Sequence, residues 1–417
     1  MSRFLFTMMP VNDLGLPTRM LPIARVLADR GHEIGVFNPA PAPMALIAEA
    51  GLNPVPMPDL PLPEPGSDMA RASKAYDVDE MFAAIFPNED FVRAMTALHI
   101  KLLQDFAPDV VVDSFNLPAC LAARILKIPL VTVNQGNFHP ASDGFKWWQR
   151  PRPTALRSAV VVVNRVAAEH GAGPFARCVD LMAGDLSLIV GTPETDPVAD
   201  SATRHIGPIT WQRGNAELPA WVQDLSHDKP LVWVYAGNPR YNGEGAALNP
   251  FDSIVVIRAA IAALGDQPFH VVLTMGHQEL PPEFGTLPAN FHLAAYLPGP
   301  AMAARCDLMV HHGGHSSVIS GLSAGTPAVI IPTATERESN ARRMASLGAA
   351  QVVMPIPEPD GSKRIDVEEF RAAVNRVLSD NRFRSAAQGV AQSMKKYGGA
   401  SQAADRIEKF TQSRIPR

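Results

Sequence analysis

Asp307-Leu-Met-Val-His-His-Gly-Gly-His-Ser-Ser-Val-Ile-Ser-Gly-Leu-Ser-Ala-Gly325-Thr-Pro-Ala-Val-Ile-Ile-Pro332 is the stretch that decides the fold. A short apolar run, Leu308 to Val310, ends in His311-His312. Two glycines follow, and Ser316 and Ser317 open a helical pattern. Val318, Ile319 and Leu322 recur at helical spacing, and the pattern stops at Gly325 with Pro327 just beyond. Ala328 to Ile331 then reads as a second strand. The order is strand, glycine turn, helix, strand.

Such a turn suits a diphosphate. Gly313 and Gly314 let backbone approach a ligand without an intervening Cβ. The first N–H groups of the helix lack intrahelical partners and carry the positive end of its dipole. Gly313, Gly314, His315, Ser316 and Ser317 line the turn, the serines adding hydroxyl donors, and His312 can donate from the strand end. The alternative is an ordinary Ser-capped helix after a glycine turn.

The wider context carries a resemblance. His312-Gly-Gly-His-Ser-Ser, then Gly325-Thr-Pro, Pro332, Glu336-Arg337 and Asn340-Ala341, is similar in order and spacing to the donor-binding signature of the UDP-glycosyltransferase-like enzymes. The resemblance implies an α/β chain of the GT-B fold, two facing Rossmann-like domains with parallel sheets. It implies an inverting, metal-independent transfer of a hexose from a UDP- or dTDP-sugar to a small hydrophobic acceptor. The nucleotide sugar is then a co-substrate; no cofactor and no metal are expected.

Composition fits a two-domain chain. There are 417 residues, 47% of them hydrophobic, and 37 basic residues against 41 acidic ones. That balance argues against a nucleic-acid partner. Cys120, Cys178 and Cys306 stand far apart and read as buried free thiols. The N-terminus is too short for a signal peptide and no apolar run is long enough for a membrane span, so a cytoplasmic protein is expected. Homodimerisation is left open. Pro56 to Pro65 reads as an extended loop and Gly207 to Pro219 as a linker. Expected boundaries are an acceptor domain over 1–205, a linker over 206–229, a donor domain over 230–400, and a final helix over 401–417 that crosses back to the first domain.

In the first half, strand Phe4–Met9, a helix from about Thr18 to Arg30 and a strand to Phe37 open a parallel sheet, which continues to Asp185–Val190 as its last strand. In the resembling family the first turn carries the His that deprotonates the acceptor. Here the turn reads Gly15-Leu16-Pro17, and Leu16 takes the base position. Asp13, earlier in the same turn, Asp113 at a strand end, and His139 in the loop after Asn134 are the remaining candidates for the catalytic base. Asp113 matches the family's His-orienting carboxylate; read alone, a strand-end Asp is more often an Asx-turn or cap residue before the helix at Leu117. Gly15, Leu16, Trp147 and Trp148 are expected to line the acceptor pocket.

In the second half Gly237-Asn238 takes the place of the family's Gly-Ser turn beside the donor phosphates. Tyr296 and Leu297 stand where the base is cradled, and Ser320 replaces the usual ribose-binding Glu. Glu336-Arg337 replaces the Asp-Gln pair that grips sugar hydroxyls. Arg337 only donates hydrogen bonds, which points to an altered sugar or nucleotide, or to a surface ion pair with Glu338. Two rivals stay open: a catalytically degenerate donor-binding or assembly partner, and a nucleotide-sugar epimerase of the same fold.

Overall fold

The computed structural model describes residues 1–61, 67–145, 153–211, 217–237, 254–276, 279–359 and 362–414. Trp147, Trp148 and Asn238 lie outside them. The chain divides into two compact units, residues 1–209 with 396–417, and residues 210–395.

Among the described residues the first unit holds seven parallel strands: β1 Arg3–Met8, β2 Glu33–Phe37, β3 Asn53–Pro54, β4 Val110–Ser114, β5 Leu130–Asn134, β6 Leu186–Val190 and β7 Arg204–Gly207. Their order is β3-β2-β1-β4-β5-β6-β7. The direction of winding reverses between β1 and β4, and the crevice of such a sheet opens there, at the carboxyl ends of the strands. β4 is buried on both faces, as its unbroken Val110-Val111-Val112 run requires.

Two expectations need correction here. Val190 does not end the sheet; β7 pairs with β6 across a register shift at Ile189/Val190. This strand takes in residues assigned above to the linker, because a four-residue edge strand carries too little alternation to be read. Helix Pro41–Glu49 begins at a proline, whose fixed φ suits a first helical position.

Helix Gly399–Arg414 belongs to the first unit and packs on helix Pro17–Asp29. Glu408 accepts from Arg30 at 2.5 Å and pairs with His32 Nε2 at 2.8 Å. These half-exposed pairs fix an orientation and contribute little stability. The apolar contacts of Ala403, Ala404 and Ile407, all fully buried, hold the helix down.

The second unit repeats the plan with six parallel strands among its described residues: β8 Leu231–Tyr235, β9 His270–Thr274, β10 Phe291–Ala294, β11 Leu308–His311, β12 Ala328–Ile330 and β13 Ala350–Val352. The order β10-β9-β8-β11-β12-β13 puts its reversal between β8 and β11. Val232, Val234, Val271, Leu273, Val310 and Val329 fill one core cluster. Two helices follow the sheet, Val367–Ser379 and Asn381–Met394. Asp380 lies between them, accepting from the Arg382 N–H to cap the second.

Candidate functional site

β11 ends at His311, and its last residue pairs with Tyr235 of β8 across the reversal point. The backbone then turns through Gly313 (φ +87°) into helix His315–Ala324. Gly314, not a serine, is the N-cap, and no side chain caps this helix. Ser316 is exposed, Ser320 half-buried, and His315 and Ser317 are buried at 7% exposure. The helix closes on Gly325 (φ +72°), with the Thr326 N–H donating to Gly321 O at 2.9 Å.

The glycines are required by packing. A Cβ on Gly314 would stand 2.5 Å from His312 Nε2, and one on Gly237 (φ +82°) 2.9 Å from His312 Cε1. The His312 ring is thus wedged between the two glycine turns. A Cβ on Gly313 would stand 2.7 Å from the carbonyl oxygen of Arg337. Helix Thr335–Ser346 also holds the loop through Asn340, whose Nδ2 donates to Gly313 O at 3.0 Å and to Glu336 Oε1 at 2.7 Å.

Both histidines are neutral. Burial depresses His311 to about 3, and its Nδ1 accepts from the Gly313 N–H at 3.1 Å. Burial, then the neighbouring charge of Arg337, hold His312 well below the usual imidazole range. His312 Nδ1 has no hydrogen-bond partner among the described residues. A neutral imidazole, glycine backbone and an uncapped helix start make a turn able to take an anion by hydrogen bonding.

The remaining donor-side candidates are less uniform. Tyr296 is 37% exposed just after β10, whereas Leu297 is 4% exposed within an apolar cluster, leaving only its backbone for a ligand. Glu338 accepts from Arg342 at 2.8 Å. Arg337 Nη1 donates to Thr333 Oγ1 at 2.6 Å.

In the first unit Asp113 ends up beneath the reversal point, wholly buried. Thr7 Oγ1 on β1 donates to its Oδ2 at 2.7 Å; the Asn116 N–H and Cys120 Sγ donate to Oδ1 at 3.1 and 3.2 Å. Burial raises its carboxyl to about 7. Asn116 extends the network, donating to Met8 O at 3.2 Å and to His99 Nε2 at 3.0 Å. Burial depresses His99 to about 4. The bonds of Asp113 are directed inward, and its Oδ1 accepts the N–H three residues on, in the turn after β4.

His139 is also inward-facing. Its Nδ1 accepts from the Ala141 N–H at 3.2 Å, which makes Nε2 the donor to Thr203 Oγ1 at 3.2 Å. Asp13 differs: it is half-buried, in the turn between β1 and helix Pro17–Asp29, and its Oδ1 accepts from the Gly15 N–H at 2.5 Å. Leu16, the helix N-cap, packs against the large apolar cluster.

Phe115 was not foreseen. It follows β4 with φ +61°, a left-handed conformation costly for an aromatic residue, and stacks on Phe138 at 4.1 Å. Phe82 stacks on its far side at 5.3 Å, and Phe145 meets Phe138 edge-on at 6.4 Å. The signal available was the clustering of these aromatics just beyond strand ends.

Comparison with known proteins agrees with this geometry. Residues 258–409 match the family described as "Erythromycin biosynthesis protein CIII-like, C-terminal domain". The chain is 26% identical over 331 residues to a PGL/p-HBAD biosynthesis glycosyltransferase of Mycobacterium tuberculosis, covering 74% of this chain and 72% of that protein. Its fold is that of the calicheamicin glycosyltransferase CalG4, with TM-score 0.73, 22% identity, and coverage of 100% of this chain and 99% of that one. The spinosyn rhamnosyltransferase SpnG, solved with thymidine diphosphate, matches with TM-score 0.70 and 19% identity over 97% of this chain and 100% of that one.

Proposed function

We propose that this chain, which belongs to the GT-B-fold glycosyltransferases, moves a hexose from a UDP- or dTDP-sugar to a small hydrophobic acceptor, with inversion and without a metal ion. The glycine turn at the β8/β11 reversal point carries this reading, since it offers backbone donors, a neutral His312 and a helix start to one diphosphate. Ser316 and Ser317 add hydroxyls, Gly237 makes room, Tyr296 stacks on the base, and Glu336 bridges sugar hydroxyls. Ser320 faces the ribose.

The acceptor binds the first unit, along the β1 turn of Gly15 and Leu16 and the apolar residues beyond it. The acceptor oxygen's electron pair forms the bond to the anomeric carbon. The bond from that carbon to the diphosphate oxygen breaks, and its pair leaves with the diphosphate. Asp13 takes the acceptor's proton, because its carboxylate is half-exposed while that of Asp113 is buried and engaged at both oxygens. Asp113 acts as a positioning residue.

The double variant Ser316→Ala/Ser317→Ala tests the donor assignment. It is expected to lose nucleoside-diphosphate binding while keeping its melting temperature; unchanged binding would refute the assignment.

Leu16 favours a second reading, a partner protein that binds donor and has lost its base. Leu16→His discriminates: transfer activity gained only in the variant supports the partner, and activity already present in the wild type supports the enzyme.

A further inference from the structure

We propose that Arg337 is a diphosphate ligand, placed to neutralise the departing nucleoside diphosphate, and not a sugar-binding residue. The proposal rests on the donor-site reading above and adds to it the residue that meets the leaving group's charge.

Arg337 stands in the first turn of helix Thr335–Ser346, and its backbone is packed directly on the glycine loop: a Cβ on Gly313 would lie 2.7 Å from Arg337 O and 3.2 Å from Arg337 Cβ. Its guanidinium is turned toward the carboxyl end of β12 by the 2.6 Å bond from Nη1 to Thr333 Oγ1. Thr333 is 2% exposed, so the anchor is a fixed point of the core. A second cation converges there, since Lys363 Nζ donates to the backbone oxygen of the same Thr333. Arg337 is close enough to His312 for its charge to help keep that imidazole neutral.

Two cations gathered at a strand end beside an anion-binding turn suit a diphosphate better than a neutral sugar. A guanidinium offers a fixed fork of donors that matches two phosphate oxygens, and it accepts nothing from a hydroxyl. A half-buried cation facing a breaking phosphate ester stabilises the charge that develops on the leaving oxygen.

The test is calorimetric titration of the intact wild-type chain, Arg337→Gln and Arg337→Lys with UDP and dTDP, the matching monophosphates, and the matching hexose conjugates. For the nucleotide that binds the wild type, Arg337→Gln should weaken diphosphate and sugar conjugate alike, by about tenfold or more, and leave the monophosphate unchanged. Arg337→Lys should recover part of the loss. Weakened sugar conjugate with unchanged free diphosphate would return Arg337 to the sugar and overturn the proposal. Unchanged affinity for all ligands would make it a surface cation. A wild type that binds no nucleoside diphosphate would remove the donor reading itself, and Arg337's role with it.

Discussion

His312 and Gly314 fit each other so closely that any side chain at 314 collides with the imidazole: the Cβ would stand 2.5 Å from Nε2. The ring has no retreat, because Gly237 meets its other side. Gly314 itself has φ −59°, open to any residue, so the requirement is steric and not conformational. Gly314→Ala should therefore displace His312 and weaken nucleoside-diphosphate binding at least tenfold, at a stability cost of about 1–3 kcal/mol. Calorimetry and a denaturant titration of the same variant measure the two effects.

Asn340 ties the glycine loop to the helix that follows β12. Asn340→Ala leaves the buried Gly313 carbonyl without its 3.0 Å donor. Leaving such a group unpaired costs about 1–3 kcal/mol. Steady-state kinetics should show a raised KM for the sugar donor with acceptor KM unchanged.

Asp113 makes a pH prediction. Its carboxyl, pushed up to about 7 by burial, lies above its unfolded value, so the folded chain holds the proton more tightly. The resulting stability is fully present below the unfolded value near 4 and is lost as pH rises toward about 7. Asp113→Asn removes this dependence. The wild type should lose stability relative to Asp113→Asn across that window, by no more than about 1.4 kcal/mol per pH unit, with a constant difference above it. His99, depressed to about 4, titrates in the opposite sense: its contribution is present above its unfolded value and lost as pH falls. It is common to both proteins and cancels in the comparison.

Asp13→Asn keeps the acceptor for the Gly15 N–H and removes the base. A loss of kcat of roughly 10²–10⁴ is expected, with donor affinity unchanged. A variant with wild-type kcat would take the base role away from Asp13.

The glycine turn after β11 was legible in sequence because everything that defines it is local: two glycines, a helical repeat and Gly325 follow one another in the chain. The parallel sheets were legible for the same reason, from runs such as Val110 to Val112. The inward role of Asp113 was not, since its partner Thr7 lies on a neighbouring strand 106 residues away. Nor was the wedging of His312, which depends on Gly237 arriving from β8. The left-handed Phe115 carries no sequence mark either; its ring stacks on Phe82 and Phe138, far from it in the chain. The short edge strand β7 escaped because four residues leave no period to count.

The central claim is that the turn from His312 to Ser317 holds a nucleoside diphosphate. Calorimetric titration of the purified wild-type chain with UDP, dTDP and GDP tests it most directly. One-to-one binding of UDP or dTDP, lost in Gly314→Ala, is the predicted result. No binding of any of the three, or equal binding by the variant, would contradict it.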